Sequence, residues 1–373
     1  MPLNTLKALF AEMPWLAPAV AFVYGTIVGS FLNVCIYRIP YGRSIIRPGS
    51  TCACGKPIAW YDNIPVLSWF VLRGRARCCG RPYGIRYPMV EALTGGLFVA
   101  AWHSGQDWAA SLCFMAFASI LVCATFTDLD HRIIPDRFTV GGFLVGCILS
   151  AVVPSIHGRS GGFAISDNLL AVGDALLGTC VGTALLVWIM ILGSIAFRKE
   201  AMGFGDVKFM GCIGAFCGWQ GALFSVFGGA LLGCAAVLAI KLAGMAGLGK
   251  FLKREKPAPI PVDESEGTTL YIEVASEGPE PVTPTLSIPA DQPVWHPDNM
   301  SMEAQGETRT TLPDGRVRSV TRWRAQAREE SDPSTVPFGP MLAAAALVYL
   351  FALSGPVDAW FRETLSVLLG GRP

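Results

Sequence analysis

The sequence predicts an all-α polytopic membrane protein, with about eight transmembrane helices and a cytoplasmic loop domain after the first helix. Three observations lead there. Hydrophobic residues fill 52% of the 373 positions and charged residues only 15%, a balance too apolar for an ordinary soluble domain. Apolar runs recur near the length a helix needs to cross a bilayer, roughly 17 to 25 residues. The cations are segregated into alternate loops, as the positive-inside rule describes for multi-pass chains. A formal net charge of +1 conceals that segregation, and the total itself predicts no nucleic-acid partner.

The first span covers roughly 16–36. Only Lys7 precedes it and no small-residue cleavage signature follows, so it reads as a retained helix rather than a signal peptide. Segment 37–86 carries nine Lys/Arg against one acid, Asp62, which places it in the cytoplasm. Further spans are expected at about 88–103, 109–127, 138–154, 169–196, 207–219, 221–243 and 337–355. The 128–137 and 197–208 loops and the stretch after Lys241 fall on the same side as segment 37–86. The loops near 104–108 and 155–168 carry only Arg159 and fall opposite, with the N-terminus outside.

Residues 257–336 are Pro-rich, with acids concentrated in their first part. They read as a mostly disordered cytoplasmic insertion. Within it TLYIEVAS (268–275) suits a strand, and the alternation around Pro313-Asp314-Gly315 suits a hairpin. The chain thus divides into a first span (1–36), a basic Cys-containing loop domain (37–86), a membrane-embedded core (87–249), the Pro-rich insertion (250–336) and a last span with its tail (337–373).

Two aspartates stand where apolar runs meet polar loops, Asp128 in TFTDLDHRIIPDRF and Asp206 in GFGDVKFMG. A carboxylate at a membrane boundary is costly to keep and points to function. Asp128 is expected at a helix C-terminus, whose dipole disfavours the ionised form, and Asp206 at a helix start, which favours it. That opposition suits an acid/base pair, with Asp206 as base and Asp128 as acid, titrating jointly. Gly203 and Gly205 flank Phe204 just before Asp206 and are expected to permit unusual backbone angles and close approach of an extended substrate. The plainer readings are a helix cap for Asp206 and an interfacial pair with Arg132 for Asp128. Asp130 and Asp136 read as solvated acids or caps, and Lys208 as a cytoplasmic anchor.

These residues carry a resemblance. GFGDVK matches the GxGD motif of intramembrane-type aspartic proteases, and TDLDHRIIPD closely resembles the companion motif of type IV prepilin peptidases. GSFLNVCIYRIP, NIPVLSW, LRGRARCCGRP and RYPMVE look like that family's amino-terminal half, in the family's order. The resemblance implies a multi-pass enzyme of the bacterial inner membrane. Such an enzyme removes the short basic leader of prepilins and pseudopilins on the cytoplasmic side, and many members then methylate the new N-terminal amine with S-adenosylmethionine. It places the catalytic aspartates at Asp128 and Asp206. The residues that bind the methyl donor are not identified by these motifs.

Of twelve cysteines, eight lie within or beside apolar spans and read as small buried hydrophobes. Cys52, Cys54, Cys78 and Cys79 lie in the basic cytoplasmic loop, where zinc ligation is the natural alternative to a disulfide. Many members of the resembled family carry two CxxC pairs here. This chain has CxC and an adjacent pair, with Ala76 where a cysteine would align, so structural zinc and unligated thiols both stay open. Other functions consistent with the chain are a GxGD protease for another membrane peptide without methylation, a proton- or ion-coupled transporter, and a scaffold recruiting partners through 257–336. A transporter predicts carboxylates near mid-membrane, whereas these two read as interfacial.

Overall fold

The computed structural model describes residues 12–40, 44–47, 49–50, 52, 54, 56–159, 165–198, 202–245, 300–311, 317–327 and 337–368. The helical unit spans 1–239 and 337–373. In chain order it holds α1 (Leu16–Arg38), a 3-10 turn at Trp60–Asn63, α2 (Leu67–Val71), α3 (Arg86–Ser104) and α4 (Trp108–His131). After these come α5 (Asp136–Val152), a 3-10 turn at Pro154–His157, α6 (Ile165–Phe197) and α7 (Phe204–Met245), whose residues from 240 onward belong to the second unit. The last span is α8 (Gly339–Val348), a π-helical turn (Tyr349–Leu353) and α9 (Ser354–Leu368).

Five described helices are long and apolar enough to cross a membrane, fewer than the eight expected: those beginning at Leu16, Trp108, Ile165, Phe204 and Gly339. The shortfall has two causes. α5 has only 17 residues, and α3 includes Arg86 and Glu91 within its 19. The expected spans 207–219 and 221–243 both fall inside α7, which is not one straight rod. Gly218 has φ 66° and ψ −176°, a conformation open in practice only to glycine, so two helices meet there. Met210 before the break and Ala222 after it both face Gly182 of α6, at 3.0 and 3.2 Å from where a Cβ would stand. The two halves therefore run back along each other.

Lipid is as apolar as leucine, so hydrophobicity gives these helices little reason to associate, and close packing through small residues takes over. At the α1–α3 crossing a Cβ on Gly25 would come 2.8 Å from Gly95 Cα, and one on Gly29 would come 2.7 Å from Glu91 Cα. The backbones touch, and larger residues would force them apart. α4 is the central helix: Phe117 and Leu121 are fully buried, and Phe117 stacks on Phe216 of α7 with centroids 4.5 Å apart. Its start is set by Asp107, whose carboxylate accepts the Ala110 N–H at 2.7 Å. Its end is set by Arg132 in the left-handed conformation, with its N–H bonded to the Asp128 carbonyl at 2.8 Å.

The second unit spans 240–336. Its described strands β1 (Met300–Thr311) and β2 (Val317–Ala327) pair antiparallel, with an irregularity between Ala304 and Gly306. The antiparallel pair expected to flank Pro313-Asp314-Gly315 is thus present and longer than its sequence signal, and the turn itself lies outside the described residues. The expected strand at 268–275 lies outside the described residues.

Candidate active site

Asp128 lies in the last turn of α4 and Asp206 is the third residue of α7. Both stand at helix ends, as expected from where their apolar runs stop. Asp128 is 7% exposed, and Asp206 is half-buried. The fold brings their surroundings together. Ile134, in the turn between α4 and α5, joins their surroundings. It stands 3.9 Å from where a Cβ on Gly205 would be and 3.0 Å from one on Gly339.

Gly339 is the site residue that sequence reasoning missed. It opens the last span, where the first N–H groups of a helix lack partners within it. Its backbone is packed directly against the Asp128 carboxylate. A Cβ there would lie 2.6 Å from Asp128 Oδ2. The expected division of roles rested on the two aspartates facing opposite helix ends. Asp128 meets the start of a second helix as well as the end of its own, so helix ends alone do not separate the pair.

The flanking glycines act through space rather than through backbone angle. The described glycines with positive φ are Gly74, Gly80, Gly158 and Gly218, not Gly203 or Gly205. A Cβ on Gly203 would meet nothing within 4 Å, so the approach to Asp206 is left open. Asp206 lies within the first turn of α7 rather than capping it, and its N–H bonds the Gly203 carbonyl at 3.2 Å.

The neighbouring acids are structural. Asp130 takes a two-toothed grip from Arg86, at 2.6 and 2.7 Å, tying the end of α4 to the start of α3. Asp136 pairs with Lys208 at 2.8 Å and ties the start of α5 to the first turn of α7. Lys208 therefore holds a carboxylate of the protein and braces the segment carrying Asp206.

The four loop cysteines converge. Cys52 Sγ lies 3.6 Å from Cys79 Sγ, Cys54 Sγ lies 3.4 Å from Cys78 Sγ, and all four sulfurs fall within 4.8 Å of one another. A zinc–sulfur bond of about 2.3 Å gives a tetrahedral edge of roughly 3.8 Å, so this donor set fits zinc with small adjustments. The irregular spacing is absorbed because each short contact pairs one cysteine from each turn. Cys52 N–H bonds the Lys56 carbonyl at 2.8 Å, and Ala76 N–H bonds the Arg81 carbonyl at 2.9 Å, closing the two turns. The Cys54 N–H and the neighbouring thiols bring Cys52 down to about 7, and the same thiol contacts push Cys78 up to about 12, so Cys52 is the first of the cluster to become a thiolate.

Glu91, in the RYPMVE motif, also escaped attention in the sequence. It is buried and accepts the Val66 N–H at 2.7 Å, fixing the start of α2. A lone carboxylate inside an apolar helix was the available signal.

A family model described as the bacterial peptidase A24 N-terminal domain matches residues 23–104, and one described as the type IV leader peptidase family matches 115–238. A Myxococcus xanthus protein named prepilin leader peptidase/N-methyltransferase is 34% identical over 94% of this chain and 95% of its own. The chain belongs to the type IV leader peptidase family. A Klebsiella pneumoniae relative of the same name is 33% identical over 58% of this chain and 91% of its own. An Escherichia coli relative, named type 4 prepilin-like proteins leader peptide-processing enzyme, is 34% identical over 56% of this chain and 80% of its own. No solved structure matches. The two family models leave out the hairpin unit and the last span, so Gly339 lies beyond both, although the Myxococcus relative spans nearly the whole chain.

Proposed function

We propose that this protein is a membrane aspartic endopeptidase that removes the basic leader peptide of type IV prepilins or pseudopilins at the cytoplasmic face of the bacterial inner membrane. It then methylates the new N-terminal amine with S-adenosylmethionine. The observation that supports the reading is that Asp128 and Asp206 stand at two helix ends, each beside a polar loop, and that their neighbours Gly339 and Gly205 both border Ile134.

The chemistry follows from that placement. A prepilin has a basic leader before an apolar helix, so the helix lies in the bilayer and the scissile bond reaches the interface, where water is available. One carboxylate of the pair, ionised, takes a proton from water as its oxygen attacks the scissile carbonyl carbon. The other, protonated, donates to the carbonyl oxygen to give a tetrahedral diol; as the C–N bond breaks, the first carboxyl gives its proton to the departing amine and the second carboxylate takes a proton back from a diol hydroxyl, which restores both groups. A helical peptide bond is closed to attack because its carbonyl is already hydrogen-bonded, so the substrate must be extended here. The open space at Gly203 supports such a strand. S-adenosylmethionine enters as the methyl-donating substrate.

Cys52, Cys54, Cys78 and Cys79 would hold zinc, which supplies cross-links to the loop domain and takes no part in hydrolysis. Residues 250–336 serve as an insertion between core and last span. The positions of both carboxylates at helix ends disfavour the transporter reading, which needs them near mid-membrane. The test is cleavage of a prepilin by purified protein with the products weighed. The expected result is a leader fragment plus a mature chain, heavier by one methyl group when S-adenosylmethionine is present. Intact prepilin throughout would contradict the peptidase reading, and an unmodified mature chain would remove the methyl transfer alone.

A further inference from the structure

On α2, Leu67, Phe70 and Val71 are 62%, 64% and 73% exposed, an i, i+3, i+4 stripe facing outward, and Trp60 before them is 80% exposed. The other side of this short helix is the one that packs. Ser68 is buried, and Trp69 donates its indole N–H to the Tyr83 carbonyl at 3.3 Å. The arrangement is inside-out for a module bathed in water, and exposed apolar clusters of this kind mark interaction sites.

The height of the stripe relative to the spans is fixed. The Val66 N–H immediately before α2 is held by Glu91, and α3 begins at Arg86. Five residues of helix put that anchor about 7.5 Å along α3 from its start. Val66 has φ 62°, unusual for a β-branched residue, so this anchor holds the chain against its local preference.

Charge selects the occupant. The one acid of segment 37–86, Asp62, is already held by Arg77 at 2.9 Å, whereas Arg73 and Arg75 follow α2 directly and are exposed. Anionic phosphates suit an apolar stripe bordered by these cations. A basic leader peptide would be repelled, and a second copy would bring like charges face to face.

We propose that Trp60, Leu67, Phe70 and Val71 seat in the headgroup–acyl boundary of an anionic leaflet, with Arg73 and Arg75 on its lipid phosphates. Glu91 then holds the loop domain from the protein side and the bilayer holds it from the other. The inference rests on the multi-pass membrane reading and not on peptidase chemistry, so it and the cleavage mechanism stand on separate measurements.

The test uses the full chain in nanodiscs of phosphatidylcholine, with or without phosphatidylglycerol, and follows amide hydrogen exchange over 66–75. One arginine near an anionic surface is worth roughly a fivefold preference, so two predict exchange about 25-fold slower with phosphatidylglycerol, reverting in high salt. In parallel, Phe70→p-benzoylphenylalanine should give, on irradiation, an adduct of lipid mass. Equal exchange in both lipids, or an adduct with a second copy or with an added prepilin, overturns the proposal.

Discussion

Replacing Gly339 by alanine separates a catalytic constraint from a merely structural one. The new Cβ would stand 2.6 Å from Asp128 Oδ2 and 3.0 Å from Ile134 Cδ1, whereas ordinary contacts begin near 3.4 Å. The carboxylate must therefore retreat by roughly 0.8 Å (3.4 less 2.6). A misplacement of about 1 Å at a reacting group costs on the order of 100-fold in rate. Stability should move far less. Overpacking costs about 1–3 kcal/mol, and alanine returns up to about 1 kcal/mol of helix propensity relative to glycine. The assay is steady-state cleavage of a prepilin in nanodiscs beside thermal unfolding. The expected result is kcat down about 100-fold, KM within about threefold and a Tm shift of a few degrees. A kcat within threefold of the unmodified chain would refute the placement of Gly339 against Asp128.

Gly218→Ala should lower thermal stability in detergent by about 1–3 kcal/mol, because φ 66° with ψ −176° strains any residue with a Cβ; an unchanged Tm would mean the two halves of α7 do not turn there. Burial pushes His157 down to about 4, so it stays neutral beside Ser150, 3.0 Å away. Below pH about 6.5 the unfolded chain gains a proton that the folded chain refuses, so stability falls as pH drops towards 4. His157 should account for about 2 kcal/mol between pH 7 and 5, a loss that His157→Gln removes in thermal scans. Protein purified without chelators should carry about one zinc per chain by elemental analysis, and Cys54→Ser should lose it; metal-free protein with its loop equally resistant to protease would show the thiols to be unligated.

The parts of the fold that were legible are those set by local chemistry. The 16–36 and 109–127 runs are long and free of charge, and each became a helix within a few residues of its expected limits. Asp128 and Asp206 stood out because carboxylates are costly beside apolar runs. The pairing of β1 with β2 was announced by the Pro-Asp-Gly sequence between them, and the convergence of four cysteines by their clustering in one basic loop. Contacts between distant residues were not legible. Gly339 lies 211 positions from Asp128 (339 less 128), and locally it reads only as the start of a span. The break at Gly218 was anticipated as a gap between two spans, yet the sharp reversal depends on one dihedral angle. The expected split between acid and base considered only each aspartate's own helix, whereas a helix from the far end of the chain also begins beside Asp128.

The central claim is that two aspartates cleave a prepilin leader, and separate Asp128→Asn and Asp206→Asn variants test it most directly. Each keeps side-chain size while removing the ionisable carboxylate. Single-turnover cleavage should fall by at least about 10⁴-fold in both, with hydrogen exchange of the helical core unchanged. Cleavage within tenfold of the unmodified protein in either variant would contradict the paired mechanism.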